Sequence, residues 1–167
     1  MNKLSLACAL AALLAGCQQD ELRDVRPAAA AQQQQDAQLC GTLAPGQTLR
    51  RGDVVGSADY CRTGLGVYLV FQTDGNVVAY NRKSPTAQTA LWTTRTNGSA
   101  ADRFVMQPDG NLVLYDAANR PLWDAQTAGN PGAYLVVARF SKFPLELRRA
   151  NGSILKRFYA DLQFSPE

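Results

Sequence analysis

Two stretches carry the side chains best suited to chemistry, and they carry the same ones: Gln72, Asp74, Asn76, Val78 and Tyr80, then Gln107, Asp109, Asn111, Val113 and Tyr115. A carboxylate accepts hydrogen bonds, the two amides donate and accept, the phenol adds a hydroxyl, and valine offers a small apolar contact. That inventory suits a hexose, with hydroxyls around its edge and a C–H patch on its face. No general acid is needed for binding. The chain holds no histidine, which removes Ser-His-Asp and Cys-His arrangements, and no tight carboxylate pair or Gly-rich phosphate loop stands out. The expectation is a binding protein and not an enzyme, without cofactor or metal.

Those side chains need hairpins to hold them. Each set straddles an Asp-Gly pair, at Asp74-Gly75 and Asp109-Gly110, flanked by apolar runs of similar length. Asp-Gly favours a tight turn because Gly adopts positive φ at little cost. Residues two apart share one face of a strand, so Asn76, Val78 and Tyr80 should line one surface. A hairpin alone would need Asp-Gly but not a Gln two residues earlier on both occasions. The alternative is a scaffold that keeps the turn and has no ligand.

The two sets belong to a longer repeat. Residues 68–80 align with 103–115 without a gap, and each copy leads to a Leu-Trp pair, Leu91-Trp92 and Leu122-Trp123. A third copy is visible in outline from Tyr134-Leu135-Val136-Val137 through Leu145-Glu146-Leu147 to Asn151-Gly152. Its ungapped alignment puts Ala138, Phe140, Lys142, Pro144 and Glu146 at the five positions, which predicts a degenerate third site. From Cys40 onward short apolar runs are punctuated by Gly and Pro turns, with no long helical window, so the domain reads as all-β. Three related units suggest pseudo-threefold architecture, and Trp92 and Trp123 read as core residues at matching positions.

The repeated Gln-x-Asp-x-Asn-x-Val-x-Tyr pattern resembles the signature of the monocot mannose-binding, or bulb-type, lectins. The resemblance spans about residues 43–157, where residues 43–49 look like that family's first strand. It implies a β-prism II, three four-stranded sheets with pseudo-threefold symmetry and tryptophans at the centre. It also implies shallow sites for mannose-containing glycans, with Asp and Asn on the 2-hydroxyl, Gln on the 3-hydroxyl and Tyr on the 4-hydroxyl. The family's disulfide across the first motif hairpin does not carry over, because the cysteines here precede that motif.

The ends of the chain suggest where it works. Lys3 and the apolar residues 4–15 form a signal-like segment, too short for a comfortable membrane span. It ends in Leu14-Ala15-Gly16-Cys17, which resembles the lipobox of bacterial lipoproteins. The resemblance implies acylation (palmitate among the chains) at Cys17, and Gln18 in place of Asp favours the outer membrane over the inner. An ordinary secretory peptide cut near Ala15 is the alternative. With Cys8 and Cys17 so used, Cys40 and Cys61 remain as one candidate disulfide in an oxidising compartment, or as two buried thiols.

The expected organisation is a signal peptide at 1–16, a lipidated Cys17 with a flexible Gln/Ala-rich tether to 39, a lectin domain at 40–160 and a tail at 161–167. The 17 basic and 14 acidic residues do not imply nucleic acid. Arg139, Lys142, Arg148, Arg149, Lys156 and Arg157 nevertheless gather in the third unit, and an acidic glycolipid contact at Arg148 and Arg149 is one expectation. A homodimer is another. Against the lectin stands a cell-envelope protein-interaction or bacteriocin-like module that keeps the fold without sugar binding.

Overall fold

The computed structural model describes residues 38–139 and 142–160. The signal segment, Cys17, most of the tether, Phe140 and the tail at 161–167 lie outside the described residues. The chain first lays down four short strands, β1 (Gln38–Cys40), β2 (Thr42–Leu43), β3 (Thr48–Leu49) and β4 (Val54–Gly56), then a helix, α1 (Ala58–Thr63). Three hairpin units follow: β5 (Gly66–Phe71), β6 (Val77–Ser84) and β7 (Ala87–Thr93); β8 (Ala101–Met106), β9 (Leu112–Asp116) and β10 (Pro121–Asp124); β11 (Tyr134–Val137), β12 (Leu145–Arg148) and β13 (Ile154–Phe158).

Each unit is a sheet lacking one strand, and the N-terminal segment supplies it. β2 pairs with β11, β3 with β8 and β4 with β5, all antiparallel. Residues 42–56 therefore thread through all three sheets in turn and close the prism. The stretch 43–49, expected as one strand, is split between two sheets by a turn at Pro45-Gly46. There Gln47 N–H donates to Ala44 O at 3.0 Å, and Gln47 Oε1 accepts from Ala44 N–H at 2.7 Å.

The period-two alternation sorts inside from outside. On the middle strand of each unit Val77 and Ala79, Leu112 and Leu114, and Leu145 and Leu147 are all fully buried. Phe71 and Phe104 are sealed with them. Trp92 and Trp123 are half-buried against this core, with ring centroids 5.5 Å apart, and Phe158 meets them at 5.2 and 6.2 Å.

The fold is a β-prism II, with two additions at its first sheet. That sheet has five strands, not four, because β1 adds parallel to β4. The all-β expectation also misses α1, which local capping explains. Ser57 accepts the Tyr60 N–H at its start, and Gly64 ends it in the left-handed region at φ 71°. A disulfide between Cys40 and Cys61 fastens β1 to this helix. The bond closes a loop of 21 residues, for which loss of unfolded-state entropy stabilises by about 3 kcal/mol. Replacing both cysteines by serine should lower unfolding stability in urea by about 2–4 kcal/mol. Amide exchange should accelerate first in β1 and α1, with the three hairpins still protected.

Candidate functional site

Both motif hairpins are built by the same bonds. In the first, Gln72 N–H donates to Asn76 O at 2.8 Å, Gly75 N–H to Gln72 O at 3.1 Å, and Asn76 N–H to Asp74 Oδ1 at 2.9 Å. In the second, the bonds from Gln107, Gly110 and Asn111 measure 2.8, 3.0 and 2.9 Å. One oxygen of Asp74 and of Asp109 thus folds the turn, as Asx turns do. Gly75 and Gly110 stand at φ 88° and 91°, and the turn packs closely on the next unit. A Cβ on Gly75 would lie 2.7 Å from Ser99 O, and one on Gly110 only 2.1 Å from Asn130 O.

Outward-facing residues then converge on a shallow cavity in each unit. The first, about 370 Å³, is walled by Gln72, Asn76, Val78, Tyr80, Thr93 and Arg95 among others. The second, about 420 Å³, takes Asn111, Val113, Tyr115, Leu122, Trp123 and Asp124. Asp74, Gln107 and Asp109 do not line these cavities. Gln72 Nε2 donates to Tyr80 Oη at 3.0 Å and Gln107 Nε2 to Tyr115 Oη at 2.9 Å. Each phenol is left free to donate its own proton outward, and each Gln Oε1 to accept.

The asparagines are already partly employed. Asn76 Oδ1 accepts from Thr93 Oγ1, Thr94 Oγ1 and Thr96 N–H at 2.8, 3.0 and 3.1 Å, leaving its amide N–H groups for a ligand. Asn111 Oδ1 accepts from Thr127 N–H at 3.0 Å, and its Nδ2 donates to Asp124 Oδ2 at 3.0 Å. The second site therefore offers one amide hydrogen fewer and an additional carboxylate. Strand register explains the difference, because Thr93 pairs with Val78 and Asp124 with Val113. Thr93, Arg95 and Asp124 escaped the motif reading, although each falls just beyond the repeated Leu-Trp pair.

The neighbours of the two phenols also differ. Tyr80 stacks on Tyr68 at 5.5 Å, which stacks on Tyr60 of α1 at 4.5 Å. Burial first, then the adjacent phenols Tyr60 and Tyr80, push the Tyr68 hydroxyl up to about 12. It stays protonated and donates to Gln88 Oε1. At the matching register Arg103 lies 4.8 Å from the centre of the Tyr115 ring. Trp123, expected purely as core, has one side against the core and also lines the second cavity.

The third unit corrects the ungapped alignment. Ala138 N–H bonds Pro144 O at 2.9 Å, as Gln72 and Gln107 bond their asparagines, so this loop is two residues longer. Pro144 thus replaces Asn, and the pairing of Val136 with Glu146 puts Glu146 at the Val position and Arg148 at the Tyr position. Lys142 lies within the enlarged loop. Arg148 and Arg149, expected together, separate: Arg148 lines a cleft with Glu146, whereas Arg149 donates to Ile154 O at 2.9 Å and lines a different hollow.

A three-sheet prism with a repeated polar hairpin on its faces defines a class, and comparison with known proteins agrees with it. No protein-family model matches the chain. A mannose-specific lectin of Aloe arborescens is 40% identical over 70 residues, 41% of this chain and 60% of that protein. The chain spans about half the length of the curated relatives it matches, at 60%, 47% and 42%. A lectin of Marasmius oreades superposes with a TM-score of 0.58 at 22% identity, covering 72% of this chain and 94% of that one. A monomeric monocot mannose-binding lectin of Gastrodia elata gives 0.54 at 24%, covering 70% and 94%. The described residues share the fold of these lectins, and part of the chain is similar in sequence to the Aloe arborescens lectin.

Gly110→Ala should destabilise by about 2 kcal/mol or more, since it combines a positive φ with a backbone collision. Gly152→Ala, also at positive φ but with only Tyr134 Oη 4.0 Å away, should cost distinctly less in the same urea titration.

Proposed function

We propose that this protein is a lipid-anchored carbohydrate-binding protein that recognises mannose-type residues through Gln72, Asp74, Asn76, Val78 and Tyr80 and through Gln107, Asp109, Asn111, Val113 and Tyr115. The observation that carries the reading is the repeated Gln Nε2 to Tyr Oη bond beside an asparagine fixed by its own turn. Two hairpins in different sheets hold the same donors and acceptors in the same internal geometry. Relatives named as mannose-specific or mannose-binding support the choice of sugar. Each cavity brings an amide and a phenol together beside a valine, and the second adds the Asp124 carboxylate, which suits the hydroxyl edge and C–H face of a hexose. Cavities this open bury little of a single sugar ring, so each site is weak alone. Several copies on one membrane, acting together, supply avidity.

Tyrosine is the sharper probe of the site, because the Asn76 and Asn111 side chains also tie down the loops behind them. The double variant Tyr80→Phe, Tyr115→Phe should weaken methyl mannoside binding about 10-fold by calorimetric titration, the worth of one hydrogen bond. Its melting temperature should stay within about 2 °C. Unchanged binding sinks the assignment of these residues, and absence of any mannoside binding favours the envelope interaction module.

We place the protein in the cell envelope, anchored at Cys17 and directed to the outer membrane by Gln18, with the domain held off the bilayer by its tether. Acyl chains at Cys17 would hold it far more durably than the marginal attachment of a single chain. Cys17→Ser should move it from the membrane fraction to the soluble fraction. Persistence in the membrane fraction would mean another mode of attachment.

A further inference from the structure

The outer face of the third sheet carries a cleft of about 830 Å³, roughly twice either motif cavity. Strand register shows how it was rebuilt. Glu146 stands where Val78 and Val113 stand, Arg148 where the tyrosines stand, and Arg157, paired with Glu146, where Thr93 and Asp124 stand. Burial opposes ionisation of Glu146, but hydrogen bonds from Arg148 and Arg157, and then their charges, hold its carboxyl below the usual range. Arg148 donates to Oε2 from Nε and Nη2 at 3.1 and 2.7 Å, and Arg157 Nε donates to Oε1 at 3.0 Å.

One carboxylate thus serves two guanidiniums and exhausts neither. Arg157 uses only Nε, and among the described residues its two amino groups have no hydrogen-bond partner. Its guanidinium lies 4.8 Å from the centre of the Phe143 ring, and the exposed Lys142 lies 5.6 Å from the same ring, with no carboxylate paired to it among the described residues. Arg139, also in the wall, is held by Asp59. Among the described residues four cations face two carboxylates, so the cleft carries excess positive charge. Between the cations the wall is apolar, with Phe143, Ile154, Ala138 and Ala58.

We propose that this cleft is a third saccharide site, specific for a sugar bearing a carboxylate, of the uronic-acid type. Arg157 and Lys142 meet the carboxylate, as guanidinium pairs naturally with it, and Phe143 with Ile154 takes the C–H face of the ring. A bare anion would make no use of that apolar wall. Mannose chemistry is gone, because Ala138 and Pro144 have replaced the Gln and Asn. The proposal rests on the prism and its register and is independent of mannose recognition at the other two sites.

The test is calorimetric titration of the intact chain with trigalacturonate, beside neutral maltotriose and inorganic phosphate. Trigalacturonate should bind, more tightly at low salt, and the double variant Lys142→Gln, Arg157→Gln should lose at least 10-fold. Lys142→Gln alone, at an exposed position that the fold does not need, should lose about 3-fold. Glu146→Gln removes the internal competitor and should strengthen binding severalfold. Tyr80→Phe with Tyr115→Phe should leave it unchanged, which separates this site from the mannose reading. Equal binding of maltotriose, displacement by phosphate at the same concentration, indifference to Lys142→Gln, or no binding of trigalacturonate would overturn the proposal.

Discussion

The strand register of three hairpins, locked by residues 42–56, is the constraint on which the molecule depends. No hairpin unit completes its sheet alone, and each receives its missing strand from a segment that visits all three. Once β2, β3 and β4 are paired, Val77, Ala79, Leu112, Leu114, Leu145 and Leu147 can only face inward. A slip of one residue in any unit would turn buried leucines or valines to water and bring Tyr80, Tyr115 or Arg148 into the core. The outward residues therefore inherit their position from the core. A change at Tyr80, Tyr115 or Arg148 alters surface chemistry at a fixed place while the inward residues keep theirs.

Three surfaces on one frame have accordingly diverged. In the first, threonines satisfy the asparagine oxygen and leave its amide hydrogens available. In the second, Asp124 engages that amide and adds negative charge. In the third, arginine occupies the Thr93 and Asp124 position, and the floor residue became a glutamate enclosed by cations. The changes fall at three strand positions and one turn. They move a surface from a neutral hydrogen-bonding face to a charged cleft while the leucines beneath keep their places.

Much of this was readable because local chemistry and global fold agree. The Asp-Gly turns, alternating apolar residues and Leu-Trp pairs each state the same hairpin, and two intact copies fix one another's register. The third unit was harder, since a two-residue insertion between Ala138 and Pro144 leaves no mark in composition. The backbone bond from Ala138 to Pro144 and the pairing of Val136 with Glu146 show that Arg148, and not Glu146, replaces the tyrosine. Helix α1 was missed because six residues are too few for periodicity, though Ser57 and Gly64 bracket it as caps. β1 could not be seen at all: a three-residue parallel edge strand is decided by its neighbour β4 and by the covalent bond at Cys40.

That bond also reaches beyond its own sheet. Cys61 fixes α1, and α1 presents Asp59 to Arg139 through contacts of 2.9 and 3.2 Å, while Ala58 joins the wall of the third cleft. The Asp59–Arg139 pair is open to water and contributes at most about 1 kcal/mol to stability. Its effect is positional and electrostatic: it holds one guanidinium at the cleft and cancels one of four positive charges there. Without the anchored helix the cleft would lose part of its apolar wall and gain unopposed charge. An insertion in the first unit, fastened by the disulfide, thus sets the character of a surface formed by the third.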